Sequence, residues 1–299
     1  MSVITTREIT KRYGSRIGVD RISLDVPEGS IFGFLGPNGA GKTTAIRLML
    51  GFLRPTEGKA SIFGLDCWKQ SHLIKREVGY VPGDMRLYPW LTVRRALRIA
   101  RGVRREDMTR RGLTLADRFH IDPDLVVRKM SRGMRQKLGL ILALAHEPKL
   151  LVLDEPSSGL DPLMQESLST LLRERAGQGC TVFFSSHTLS EVEQLCDRVA
   201  IVRAGRIVSD EALDDLRQRA RRELVIRFAT AGDAQRIEPP AFFRLISREG
   251  DRWTGELDGE AGRLCQWMSG LPIRDFTIGL PDLNTIFRAH YQEHDGGAD

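Results

Sequence analysis

One stretch, Gly36-Pro37-Asn38-Gly39-Ala40-Gly41-Lys42-Thr43-Thr44, constrains this chain more than any other. It satisfies the P-loop pattern G-x-x-x-x-G-K-[ST] in full. Glycines let the backbone turn tightly and bring its N–H groups up to phosphate oxygens with no Cβ in the way. A helix that starts after the loop points the positive end of its dipole at the same phosphates. Lys42 reaches β- and γ-phosphates, and the Thr43 hydroxyl is a ligand for Mg²⁺. The loop needs a buried strand before it and a helix after it, so the pattern asks for an α/β fold.

The flanking residues meet that demand. Ser30 to Leu35 is a short apolar run of the buried-strand type, and Lys42 to Leu50 reads as helix closed by Gly51. Upstream, Val3 to Thr10 and Ile17 to Val26 alternate like strands, with Gly14-Ser15 as the turn between them. Downstream, strands are expected at Leu150 to Leu153, Thr181 to Phe184, Val199 to Val202 and Ile207 to Ser209. Helices are expected at Thr92 to Arg101, Met134 to Ala145, Leu163 to Ala176 and Leu189 to Leu195. Alternating strands and helices predict a largely parallel core sheet, and the mostly helical stretch from Trp90 to Glu147 reads as an insertion into it.

A second carboxylate-bearing element follows. Leu150-Leu151-Val152-Leu153 is an apolar strand that ends in Asp154-Glu155. With the P-loop it forms a Walker A and Walker B pair. Asp154 holds Mg²⁺ directly or through water, and Glu155 orients and deprotonates an attacking water.

With both elements in hand, the chain resembles the ATP-binding cassette (ABC) ATPases, the nucleotide-binding subunits of ABC transporters. The resemblance covers about residues 1–219, with motifs in family order from Tyr13 to His187. It implies a P-loop NTPase core of ABC type with an antiparallel β subdomain and a helical subdomain at about 90–147. Ser131 and Gly133, in Met130-Ser-Arg-Gly-Met134, fall where the family places its Leu-Ser-Gly-Gly-Gln signature. That segment is expected to bind the γ-phosphate of ATP held by a second subunit, with Ser131 as a helix N-cap. Arg132 and Met134 depart from the pattern, and Arg132 either adds charge toward the opposite nucleotide or faces solvent. Asp161 matches the loop that crosses the dimer interface and also suits an N-cap before Pro162. His187 is expected to contact the γ-phosphate, and Tyr13 to stack on adenine. Glycine stands at position 83, where the family has glutamine, so Asp84 is expected to supply part of the missing metal contact.

The resemblance implies ATP and Mg²⁺ as cofactors and a dimer of this chain with itself or a close relative. It also implies a separately encoded integral membrane permease, with this chain on the cytoplasmic face of the membrane. The variant signature and the appended domain favour an exporter. Leu87 to Thr92, apolar and aromatic, lies where the family docks its membrane partner; it reads either as that interface or as core packing of the helical subdomain. The best apolar run, Leu138 to Ala145, is far short of the ~20 residues a span needs.

The alternative is a soluble ABC-type ATPase acting on nucleic acid or ribosomes. Its support is the net charge of +6. One cassette and no sustained heptads argue against it, and no nucleic acid partner is expected. The cysteines at 67, 180, 196 and 265 have no CxxC spacing and read as small buried hydrophobes.

After Arg217, Arg219, Arg221 and Arg222, a linker or a binding patch, the texture changes. Residues 220–299 read as a small accessory α+β domain of ferredoxin-like order with its first helix reduced, and a closing helix at Leu283 to Tyr291. A regulatory ligand-binding role is one reading of that domain.

Overall fold

The computed structural model describes residues 1–219, 221–259 and 261–281. It divides into two compact units, Met1–Asp210 and Glu211–Asp299, so the junction expected at 219 falls inside the second unit.

In the first unit, β1 (Ser2–Tyr13) and β2 (Arg16–Pro27) form a long antiparallel pair. Isoleucine, valine and leucine in alternate positions of β2 bury one face and leave the other wet, as antiparallel sheets allow. Buried β3 (Ile31–Leu35) leads into the P-loop and α1 (Lys42–Met49). Next come β4 (Glu57–Ile62), β5 (Leu65–Asp66), the one-turn α2 (Ser71–Ile74) and β6 (Val78–Val81). β4 has little hydrophobic pattern of its own (Glu57-Gly-Lys-Ala-Ser-Ile62). It is a strand because β1 offers it an antiparallel edge, with a Cβ on Gly58 standing 2.3 Å from the Glu8 carbonyl. The first sheet thus runs β2-β1-β4-β5.

The helical insertion comprises α3 (Val93–Arg104), α4 (Thr109–Arg118), a 3₁₀ turn at Val127–Lys129 and α5 (Arg132–Leu144). Thr92 caps α3, its hydroxyl accepting from the Arg95 N–H at 3.2 Å. Leu97 of α3 fills the notch left by Gly112 of α4, where a Cβ would stand 2.3 Å away.

The chain then returns to the core through β7 (Leu150–Asp154), α6 (Pro162–Gly177), β8 (Thr181–Ser186), α7 (Leu189–Leu195), β9 (Arg198–Arg203) and β10 (Arg206–Ala212). The second sheet runs β10-β9-β3-β8-β7-β6, and β9, β3, β8, β7 and β6 are mutually parallel. Every residue of β3, β7 and β8 is buried, the signature of parallel strands covered on both faces. α1 packs on β2, β4 and β7, so one core, including Ile46, Phe34 and Phe183, joins both sheets around it.

The second unit contains α8 (Leu213–Arg219), β11 (Arg222–Phe228), α9 (Ala231–Arg236), β12 (Phe243–Glu249), β13 (Arg252–Leu257), α10 (Ala261–Met268) and β14 (Ile273–Pro281). Its sheet order β12-β13-β11-β14, antiparallel throughout, is the ferredoxin-like βαββαβ arrangement, with a first helix of only six residues. Trp253 is fully buried at its centre, donating to the Ala234 carbonyl at 2.9 Å. Two of the arginines near the expected junction are engaged locally: Arg217 with Asp214 at 3.0 Å and Arg221 with Glu256 at 2.8 Å. The helix expected at Leu283 to Tyr291 lies outside the described residues. Cys67, Cys180 and Cys196 are buried as expected, and burial pushes the thiols of Cys67 and Cys180 up to about 12 and about 11; Cys265 is exposed instead.

Candidate functional site

The parallel register assembles the site. Leu35 of β3 stands opposite Ser186 of β8, and Ser185 stands opposite Asp154 of β7. The carboxyl ends of β3, β8 and β7 therefore lie side by side. That is where open α/β sheets bind ligands, because the loops there point away from the covered faces. β3 delivers the glycine loop, β7 delivers Asp154 and Glu155, and β8 delivers Ser185, Ser186 and His187. Backbone bonds lock them together: the Gly36 N–H donates to the Ser186 carbonyl at 3.1 Å, and the Glu155 N–H to the Ser185 carbonyl at 3.2 Å.

The loop uses its glycines in two ways. Gly39 and Gly41 take φ of 82° and 101°, in the left-handed region where a Cβ is penalised. At Gly36 the constraint is space, since a Cβ would stand 2.3 Å from the Val202 carbonyl. From the other side, the Gly205 N–H donates to the Ala40 carbonyl and the Asp20 N–H to the Gly205 carbonyl, tying the loop to β2.

Lys42 is 5% exposed. Its Nζ donates to the carbonyls of Gly36 at 2.7 Å and Pro37 at 3.2 Å, and lies 3.2 Å from Glu155 Oε1. The other Glu155 oxygen is 3.4 Å from His187 Nδ1. Glu155 holds φ at 50°, a strained value for a side chain of its size, which turns the chain sharply off the end of β7. The Thr43 hydroxyl donates to Asp154 Oδ2 at 2.8 Å, and the Ser185 hydroxyl to Asp154 Oδ1 at 2.7 Å. The expected Lys42, Thr43, Asp154, Glu155 and His187 thus meet in one place.

A cavity of about 710 Å³ runs from Lys42, Thr43 and Glu155 along Asn38, Gly39, Ala40 and Thr44 to Tyr13. Tyr13 is half-exposed, with its ring against Gly18, where a Cβ would come within 2.9 Å of it. Arg16, Ile17, Gly18 and the Ala204-Gly205 turn also line the cavity. Sequence reasoning missed these, along with Ser185. The loop pairings bring the glycines there, and the only sequence sign of Ser185 is its place two residues before His187.

Other expected residues lie apart from this cavity. Ser131 caps α5, accepting from the Met134 N–H at 3.2 Å, and is exposed. Gly133 packs on the loop after β7, where a Cβ would stand 2.8 Å from the Gly159 carbonyl. Asp161 caps α6, accepting from the Met164 N–H at 3.0 Å, with Pro162 at the first helical position. Asp84 is exposed and pairs with Arg86 at 3.3 Å; among the described residues it has no contact with Thr43 or Asp154. The residue that faces Asp154 is Gly83, where a Cβ would stand 3.2 Å from the Asp154 carbonyl. Gly83 offers no side chain on that side of the site, and the neighbouring Asp84 carboxylate pairs with Arg86 at the surface. Burial, with the Asp154 charge adding to it, pushes the Tyr80 phenol up to about 12.

A glycine loop on a buried strand, two carboxylates on the next strand but one and a histidine between them define a P-loop nucleotide-binding domain. Its two-sheet architecture and helical insertion narrow the class, and the chain belongs to the ABC transporter family as an ATP-binding ATPase subunit. Residues 19–158 match the family described as ABC transporter. The bacitracin transport ATP-binding protein BcrA of Bacillus licheniformis is 39% identical over 240 residues, 78% of this chain and 77% of that one. An uncharacterized ABC transporter ATP-binding protein of Synechocystis is 30% identical, with 98% of this chain and 85% of that one aligned. A solved ATP-binding subunit of an ABC transporter superposes with a TM-score of 0.68 at 29% identity, covering 72% of this chain and 92% of that one. Among the described residues, no helix is long and apolar enough to cross a membrane.

Proposed function

We propose that this chain hydrolyses MgATP at the Lys42–Asp154–Glu155 site and drives a separately encoded membrane permease, working as an exporter subunit from the cytoplasmic face. The observation that carries the reading is the meeting of Lys42, Thr43, Asp154, Glu155 and His187 at the ends of three adjacent parallel strands. Lys42 and the loop N–H groups hold the β- and γ-phosphates, and Tyr13 stacks on the base. Thr43 Oγ1 and Asp154 Oδ2, 2.8 Å apart, are the hard oxygen donors that Mg²⁺ takes alongside phosphate oxygens. When bound, the cation neutralises charge on the transferring phosphoryl group. Glu155 accepts a proton from the attacking water, and His187, 3.4 Å from it, orients that carboxylate and reaches the γ-phosphate.

Ser131 and Gly133 lie outside the cavity, which supports a composite site in which a second subunit contributes its Ser131 segment. Exposed Tyr88 and Trp90, stacked at 5.6 Å, suit a hot spot for the permease. The relative named for bacitracin transport supports the transport reading.

The test is recovery of Glu155→Gln chain with ATP from detergent-solubilised membranes. Co-purification of a multi-span membrane protein is the expected result. Recovery of ribosomes or nucleic acid without one would overturn the transport reading.

A further inference from the structure

Arg132 stands where the family signature has glycine, and it is exposed. It turns back onto its own subunit. Its Nη2 donates to Ser158 Oγ at 2.7 Å. Its stem covers Gly159, so closely that a Cβ there would lie 3.1 Å from Cδ and 3.3 Å from Cγ and Nε. Gly159 also has φ of 82°, so glycine is needed there on two counts. Next to it, Gly133 approaches the Gly159 carbonyl with no room for a side chain.

The loop being held is the one that leaves Glu155. The Ser158 N–H donates to the Glu155 carbonyl at 3.2 Å and the Leu160 N–H to the Ser157 carbonyl at 3.0 Å, two short turns in succession. Glu155 itself sits at φ of 50°. A strained residue keeps its conformation only when its surroundings hold it. On the N-terminal side, Glu155 is held by strand β7 and Ser185. On the C-terminal side, the described contacts from outside the loop include those of Arg132.

We propose that Arg132 is a positioning residue for hydrolysis: by gripping Ser158 and Gly159 it fixes the loop that sets the Glu155 carboxylate. It thereby joins the Ser131 segment and the proposed base into one rigid piece of the same subunit. The inference rests on Glu155 being the base. It predicts that the grip acts on turnover and leaves nucleotide binding by the subunit's own cavity alone, because neither Arg132 nor Ser158 lines that cavity.

The experiment compares full-length wild type, Arg132→Met, Arg132→Lys, Ser158→Ala and the Arg132→Met/Ser158→Ala double variant. Steady-state phosphate release gives kcat and KM for ATP, and hydrogen exchange reports the Ser158 and Leu160 amides. Arg132→Met keeps an apolar stem over Gly159 and loses the hydrogen bond. Arg132→Met and Ser158→Ala are each expected to lower kcat about fivefold, the size of one lost hydrogen bond at an exposed site, with KM unchanged. The double variant is expected to match either single, Arg132→Lys to restore most of kcat, and the two amides to exchange faster in Arg132→Met. Multiplying effects in the double variant, a rise in KM with kcat intact, or unchanged exchange would each overturn the proposal. Exchange needs no turnover, so the grip is tested even where wild type releases no phosphate, a result that would sink the hydrolase reading instead.

Discussion

Replacing Ser185 with alanine deletes a hydroxyl that is fully buried and touches both carboxylate residues. It donates to Asp154 Oδ1 at 2.7 Å and accepts from the Glu155 N–H at 3.1 Å. The second loss is cushioned, because the same N–H also reaches the Ser185 carbonyl at 3.2 Å. The first is not. Asp154 is 2% exposed, so water has little access to replace the donor, and a buried carboxylate oxygen is left unpaired. A hydrogen bond to a charged partner contributes about 2 kcal/mol, which for a unit of this size lowers Tm by about 6 °C. Asp154 keeps its bond from Thr43 but loses the partner that fixes its plane, so the Mg²⁺ concentration for half-maximal turnover is expected to rise about tenfold. Thermal melting by circular dichroism and a Mg²⁺ titration of phosphate release measure both. A Tm within about 1 °C of wild type together with an unshifted Mg²⁺ midpoint would refute the reasoning, since both follow from the same lost donor.

Three further outcomes follow from the geometry. His146 is buried beside Arg104, its Nε2 3.2 Å from the Val78 carbonyl, and burial lowers it to about 4. The unfolded chain therefore takes up the proton first, so stability falls from about pH 6.5 to about pH 4 by about 3 kcal/mol and then levels off; urea unfolding at several pH values checks this, and an unchanged slope in His146→Phe would refute it. Gly36→Ala puts a Cβ 2.3 Å from the Val202 carbonyl, and because backbone cannot yield cheaply the loop must move, with an expected loss of about 100-fold in ATP affinity by calorimetry; wild-type affinity would show that the loop tolerates the clash. Asp84→Ala breaks only an exposed pair with Arg86, so turnover and Mg²⁺ midpoint should stay within about twofold of wild type, whereas a tenfold shift in the midpoint would put that carboxylate in the cation's ligand set.

Much of the first unit was legible because its signals are local. A P-loop carries its own geometry in the glycines, an apolar run such as Leu150 to Leu153 must be buried wherever it goes, and Ser131 and Asp161 are caps whose chemistry acts within one turn. The ferredoxin-like order of the second unit was legible in the same way, from strand, hairpin and helix lengths.

What stayed hidden depends on partners distant in sequence. β4 is a strand through its pairing with β1 and β5, and Gly18 matters because Tyr13 lies on it. Ser185 acquires its role from a register that sets it opposite Asp154, 31 residues away. Asp84 looked like a substitute ligand by adjacency, but the fold turns it to Arg86 and brings Gly83 to the carboxylate. Arg132 is exposed, as one of its two sequence readings had it, and its contact with Ser158, 26 residues away, was not legible from the chain. The sequence by itself determined which side chains are present to bind phosphate, polarise water and cap helices, because those capacities are intrinsic to residue type and short spacing. Only the tertiary structure decided which of them share a site, because strand register and loop packing act between residues that are neighbours in space and strangers along the chain.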